Sequence, residues 1–172
     1  MSTDLILAGA LAESGLVRFI PSLDDDENDY REIWMTTALH DWLHQKDRKR
    51  GSEFKYRIRA ALKAFIINDS ELKIDNDDFM KPLIHDDYHD VFEVRYQPYP
   101  FHRDATRIFG AFAEQDCLVL FHQKLKSEIQ DYDKLIKKTA EMWNEFLPGF
   151  HMVKAYPFSN CVSGSFCDVH SY

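Results

Sequence analysis

The sequence predicts a small α+β fold, an antiparallel β-sheet packed against helices. Three observations predict it. Residues 53–67 and 131–147 carry apolar side chains at helical spacing. Three β-prone runs, 91–96, 107–113 and 118–123, follow one another across connections shorter than a parallel crossover requires. With 172 residues, 45% hydrophobic and 29% charged, the chain has the size and composition of one globular domain with a real core.

The elements follow in chain order. Residues 3–14 read as a short helix, with Ser2 or Thr3 as cap and Gly15 as stop. Leu16 to Ile20 is apolar, β-prone and closed by Pro21, so it reads as a first strand. The acidic run Asp24, Asp25, Asp26 and Glu27 reads as a solvated loop ahead of a helix, because adjacent carboxylates rarely converge on one ion. Residues 29–45 read as a helix with Tyr30, Ile33, Trp34, Ala38 and Trp42 on a broad apolar face. Gly51 breaks that pattern. Phe54, Ile58, Ala61, Leu62 and Phe65 then mark the buried side of helix 53–67, while Lys55, Arg59 and Lys63 lie four apart along a different face. Residues 68–90 are polar and acidic and read as a long connection with a short element around 79–84. The strand meander comes next. Helix 131–147 buries Tyr132, Leu135, Ile136, Thr139, Met142, Trp143 and Phe146, and Gly149 is placed to stop it. The tail to Tyr172 has no period. One domain is expected over 1–172, with a core at about 16–148 and extensions at both ends.

The net charge of −8 argues against a general nucleic-acid binder, whose affinity rests on phosphate contacts. The distribution of charge says otherwise. The window 46–63 carries +6, so the remainder carries −14. Such a run is either a solvated face or an anion-facing surface. Cys117, Cys161 and Cys167 are too few, and odd in number, for a disulfide framework. Reduced thiols and a cytoplasmic location are expected. Cys161, Cys167 and His170 match no common zinc spacing, so no metal site and no cofactor is expected. No stretch is long enough to span a membrane, and the mildly apolar start carries Asp4 instead of a basic flank.

Residues 90–126 read DVFEVRYQPYPFHRDATRIFGAFAEQDCLVLFHQKLK. Glu93-Val94-Arg95 is a Glu-x-Arg pattern on one strand. Arg107-Ile108-Phe109 opens the next. Leu118 to His122 is an apolar third strand leading into Lys124 and Lys126. In order and spacing this segment resembles the sheet of RelE/HigB-like toxins of the RelE/ParE superfamily, and the likeness extends over about 16–148. The chain departs from that family in its acidity, its long 97–106 connection, its 68–90 stretch and its tail. The C-terminal arginine and tyrosine of some members have no clear counterpart here, Tyr156 being the nearest.

The resemblance implies a RelE-like toxin of a toxin-antitoxin system, a metal-independent endoribonuclease acting on messenger RNA at the ribosome, with a cognate antitoxin as partner. The 2′-hydroxyl then attacks the adjacent phosphate. The protein must favour loss of that proton, stabilise the phosphorane and protonate the leaving oxygen. Arg95 and Arg107 suit the phosphorane, since a guanidinium grips two phosphate oxygens. Lys124 and His122, with His102 and His89 behind them, suit proton transfer. Arg103, Lys126, Lys55, Arg59 and Lys63 are the expected RNA contacts, and the 46–63 window is the expected seat of an acidic antitoxin segment.

A structural reading stands beside each choice. Arg95 shares strand parity with Glu93 and could pair with a carboxylate. Arg107 could anchor a strand end. His122 shares parity with Leu118 and Leu120 and could be a satisfied core residue. Three functions therefore stay open: the nuclease, a non-catalytic inhibitor of the ParE kind directed at gyrase, and a binding module. The nuclease requires Arg95, Arg107 and Lys124 to converge on an exposed concave surface. The others let them diverge or pair with acids.

Overall fold

A computed structural model describes residues 3–20, 31–45, 52–67, 72–74, 79–83, 90–96, 105–163 and 166–168. It is an α+β fold: a mixed six-stranded sheet with helices on both faces. The strands are β1 (Leu16–Arg18), β2 (Glu32–Thr36), β3 (Leu72–Ile74), β4 (Met80–Leu83), β5 (Val91–Tyr96), β6 (Thr106–Glu114), β7 (Cys117–Leu125) and β8 (Phe166–Asp168). The helices are α1 (Thr3–Glu13), α2 (Thr37–His44), α3 (Ser52–Ile67) and α4 (Tyr132–Phe146). The main sheet runs β1-β2-β7-β6-β5-β4, and β3 pairs with β8 apart from it.

The expected meander is there, with β5, β6 and β7 antiparallel neighbours. The sheet as a whole is not antiparallel, because β2 joins β7 in parallel. Pro82 sits in β4, which ends the sheet, where a missing N–H costs no ladder bond.

The expected helix over 29–45 is a strand followed by a helix. Ile33, Trp34 and Met35 satisfy a period of two as well as one of 3.6, and both faces of a strand next to β7 are covered. Ile33 and Met35 are fully buried toward α2 and α3, while Trp34 packs toward α1 and α4. Pairing with Leu118, Val119 and Leu120 settles the choice. Thr36 marks the switch: its hydroxyl accepts from Leu39 N at 3.3 Å, capping α2, and donates to Phe121 O at 2.7 Å.

Two cores flank the sheet. On one face Leu39 and Leu43 of α2 and Ile58, Leu62, Phe65 and Ile66 of α3 pack on Phe92, Val94, Ile108, Phe112, Leu118 and Leu120. On the other, Leu7 and Leu11 of α1 and Trp143 and Leu147 pack on Ala111, Val119 and Phe121. Ile136 of α4 packs there with Leu83, Val91 and Phe109. Asp131 caps α4 by accepting from Lys134 N, and Gly149 at φ +85° turns the chain after it. The tail is no loose addition: Ala155, Phe158, Cys161 and Val162 are buried in the α2/α3 core.

A bulge decides which side chains share a face. Phe109 pairs with His122, but Gly110 pairs with Leu120, so Phe121 is the extra residue. The bulge reverses parity along β7. His122 therefore leaves the side of Leu118 and Leu120 and joins the α4 side, contrary to the parity expected from an unbroken strand.

Arg31 ties the tail to the sheet. Its side chain is 1% exposed; Nε donates to Asp116 Oδ1 at 3.1 Å, and the other nitrogens donate to Phe65 O and Ser163 O. Its guanidinium lies over the Phe65 ring. Burial pulls the Arg31 pKa below its ordinary value, against the opposing pull of Asp116. Asp116 holds φ 65° in the β6–β7 turn and also accepts from Ser163 N. Asp116→Ala strands a buried cation and is expected to cost about 3–5 kcal/mol in urea unfolding. Asp116→Asn keeps an acceptor and tolerates positive φ, so its cost is expected to be clearly smaller. Equal losses for both would show that the lost charge, and not the lost acceptor, sets the cost.

Candidate functional site

The register brings the predicted arginines and lysine into one row. Arg95 of β5 pairs with Arg107 of β6, and Arg107 pairs with Lys124 of β7. The preceding row on the same face is Glu93, Phe109 and His122. Both rows lie on the α4 side, because Phe92, Val94 and Ile108 alternate with them into the α2/α3 core.

Glu93 organises the row. Its side chain is 0% exposed, and Oε1 lies 2.8 Å from Arg95 Nε and 2.6 Å from Arg107 Nε. The Arg95 contact is a hydrogen bond. The Arg107 contact is an ion pair by distance but lies off the line of the N–H. Among the described residues Arg107 Nε and Glu93 Oε2 accordingly have no hydrogen-bond partner. Arg107 also donates to Thr106 O at 3.2 Å, and its charge opposes the rise that burial gives the Tyr132 pKa. One carboxylate against two guanidiniums leaves an excess positive charge. The row is graded in access: Arg107 is 2% exposed and Arg95 11%, whereas Lys124 is exposed. Lys126 is exposed in the short 3-10 turn that follows, its backbone N–H bonded to Ala105 O.

His122 is half-buried, stacked on Phe109 with ring centroids 5.1 Å apart. Its Nε2 lies 3.0 Å from Thr139 Oγ1. That hydroxyl already donates to Leu135 O, so Nε2 carries the proton. Burial first, then the charges of Lys138 and Lys124, push the His122 pKa down to about 4. A ring held neutral and tied on both its face and its edge is a weak base at neutral pH. A histidine depressed in the folded state contributes stability above its unfolded value near 6.5, and that stability is lost as pH falls toward 4. The loss attributable to this residue is at most roughly 3 kcal/mol. The stability gap between the protein and His122→Gln is expected to narrow between pH 6.5 and 4 in urea titrations. A constant gap would show that the ring titrates normally.

The remaining predicted contacts lie elsewhere. Lys55 is buried; its Nζ donates to Gln45 O at 3.2 Å and lies 5.0 Å from the Trp42 ring centroid. Arg59 donates to Leu43 O. Both thus satisfy the carbonyl end of α2, where a cation is favoured by the helix dipole. Lys63 lies further along α3. This helix belongs to the opposite layer, so its basic row and the Arg95–Arg107–Lys124 row do not share a face. Arg103, His89, His102, His170, the acidic run 24–27 and residues 46–50 lie outside the described residues, as does the side chain of Cys167. Cys117 and Cys161 are buried free thiols, pushed up to about 12 chiefly by burial, so neither is a ready nucleophile. Among the described residues no group of three metal-ligating side chains comes together.

Three participants were not legible as such. Glu93 appears in the sequence as half of a motif, yet it is the hub. Thr139 sits among the apolar residues of α4 and serves as the partner of His122. Tyr132, expected on the buried face, is 37% exposed and within the electrostatic reach of Arg107. Only a buried-polar reading of helix 131–147 would have pointed to Thr139.

The geometry defines a class: an α+β domain with a cationic row on one sheet face, closed on its inner side by a buried carboxylate. In comparison with known proteins, no family model matches the chain, and neither a curated protein nor a solved structure does. Among the described residues no helix is long and apolar enough to cross a membrane.

Proposed function

We propose that the protein is the toxin component of a toxin-antitoxin pair, a RelE/HigB-like endoribonuclease that meets messenger RNA on the α4 side of its sheet. The observation that carries this reading is the register row Arg95–Arg107–Lys124, three cations side by side on adjacent strands. Lys124 and the accessible edge of Arg95 are the phosphate contacts, and Arg107 supports them from behind. Arginine and lysine in such a row can stabilise charge on a phosphorane without a metal. The cognate antitoxin and the translating ribosome are its partners under this proposal.

A second reading has its own support. Glu93 already holds both guanidiniums, and His122 is a poor proton carrier. Pairing with an acid is what a non-catalytic inhibitor or binding module on this fold would tolerate.

Induction of the intact chain in a bacterial host, with growth followed and new 5′ ends mapped on messages, separates them. Growth arrest with cuts inside translated messages, abolished when translation is blocked, supports the nuclease. Arrest with intact messages transfers the proposal to a gyrase-directed inhibitor. Absence of arrest leaves a binding module. Lys124→Ala is the informative variant, because the side chain is exposed and its removal spares the fold. It is expected to relieve the arrest at equal expression. Joint loss of Arg95 and Arg107 is less informative, since it strands the buried Glu93 carboxylate.

A further inference from the structure

The exposed side of α2 carries two histidines one turn apart, His40 and His44, remote from the cationic row and on the opposite side of the sheet. Residues at i and i+4 lie above one another on a helix, which brings these rings to a centroid separation of 4.2 Å with planes 32° apart. The ring nitrogens are not equivalent. His44 Nδ1 lies 2.8 Å from the backbone oxygen of His40. A carbonyl can only accept, so Nδ1 of His44 carries the proton and Nε2 keeps its lone pair. His40 Nδ1 faces Asp41 Oδ1 at 3.6 Å, a carboxylate on the same nitrogen. Each ring therefore turns Nδ1 toward an oxygen, and among the described residues neither Nε2 has a hydrogen-bond partner.

That is the arrangement in which histidine binds metal. A ligating imidazole donates its other N–H to a carboxylate or a backbone carbonyl, which fixes tautomer and ring orientation. Here His44 has the carbonyl as partner, while the Asp41 carboxylate lies 3.6 Å from His40 Nδ1, beyond a direct hydrogen bond. Phe19 supports His44 from the side, with ring centroids 6.4 Å apart. Closing the C-terminal end of α2 would explain the His44 bond alone. It does not explain the alignment of His40 beside it or the placement of Asp41.

We propose that His40 and His44 form a two-histidine site for a borderline divalent transition metal of the zinc, nickel or copper type. Two imidazole nitrogens suit these ions, while calcium and magnesium require oxygen ligands. Water or a further ligand completes the coordination, so the site is open and not a closed structural one.

The test is calorimetric titration of the full chain with Ni²⁺ alone, beside His40→Gln, His44→Gln and Asp41→Asn. Both rings are at least partly exposed, and unchanged melting temperatures will confirm that the variants fold. The intact chain is expected to show a saturable event that each histidine substitution abolishes, leaving at most weak single-histidine binding. Asp41→Asn removes a nearby negative charge and no direct hydrogen bond, so it is expected to weaken binding less than either histidine substitution. Absence of saturable binding in the intact chain overturns the proposal. So does an event that survives both histidine substitutions unchanged, which would place the metal on other residues of the chain.

Discussion

Replacing Glu93 with glutamine is expected to remove about 3–5 kcal/mol of stability, as large a loss as that expected of Asp116→Ala. The substitution keeps the shape and deletes the charge. Arg107, 2% exposed, and Arg95, 11% exposed, would then share a region of low polarity with no counter-ion among the described residues. Two like charges on paired positions of adjacent strands would repel at close range, with little water to screen them. A domain of this size has a total stability of roughly 5–15 kcal/mol, so much of the population is expected to unfold at moderate urea. Unfolding followed by circular dichroism measures this directly. A loss below 1 kcal/mol would mean that the guanidiniums are solvated and that the carboxylate does not hold them. Outright replacement of the whole triad by apolar residues is a different experiment, and it is expected to cost much less than breaking it.

Gly110→Ala is expected to be equally damaging for a steric reason. A Cβ built at Gly110 would lie 2.0 Å from the carbonyl oxygen of Val119 and 2.9 Å from Leu120 Cδ2. The first of these is backbone, in the most heavily buried part of the sheet, and it cannot rotate away. The strands must separate or slip, and either movement disturbs the bulge that turns His122 toward α4. The expected cost exceeds about 3 kcal/mol, beyond the usual range for added methyl groups. Gly9→Ala is the matched comparison. Nothing lies within 4 Å of its Cβ position, and the residue is exposed in α1. Alanine there is expected to stabilise the protein by roughly 0.5–1 kcal/mol. If both substitutions were neutral, the close approach of β6 to β7 would be wrong.

Much of the element order was legible because local pattern and tertiary demand agree. Helix 131–147 has a cap, a stripe and a stop, and α4 is found at Tyr132–Phe146. The same holds for α3 and for the meander of β5, β6 and β7. The segment 29–45 was misread because its aromatic and branched residues fit two periods, and only pairing with β7 chooses between them. The 79–84 element was anticipated as an element without a type; its pairing with β5 makes it a strand. The basic row of α3 shows the reverse problem. Lys55 and Arg59 lie on a regular helical face, yet they are turned toward the carbonyl end of α2, which no spacing rule reveals.

By itself, the sequence determined which segments are amphipathic, where α1, α3 and α4 start and stop, and that Glu93, Arg95 and Arg107 fall on consecutive strands with Lys124 just past the third. These are properties of neighbours along the chain, where period and capping act over a few residues. The tertiary structure alone decided that the three cations stand in one row, that Glu93 is buried between two of them, and that a bulge moves His122 to their side. Register, burial and the count of residues across a bulge depend on atoms brought together from distant positions, and no local pattern carries that information.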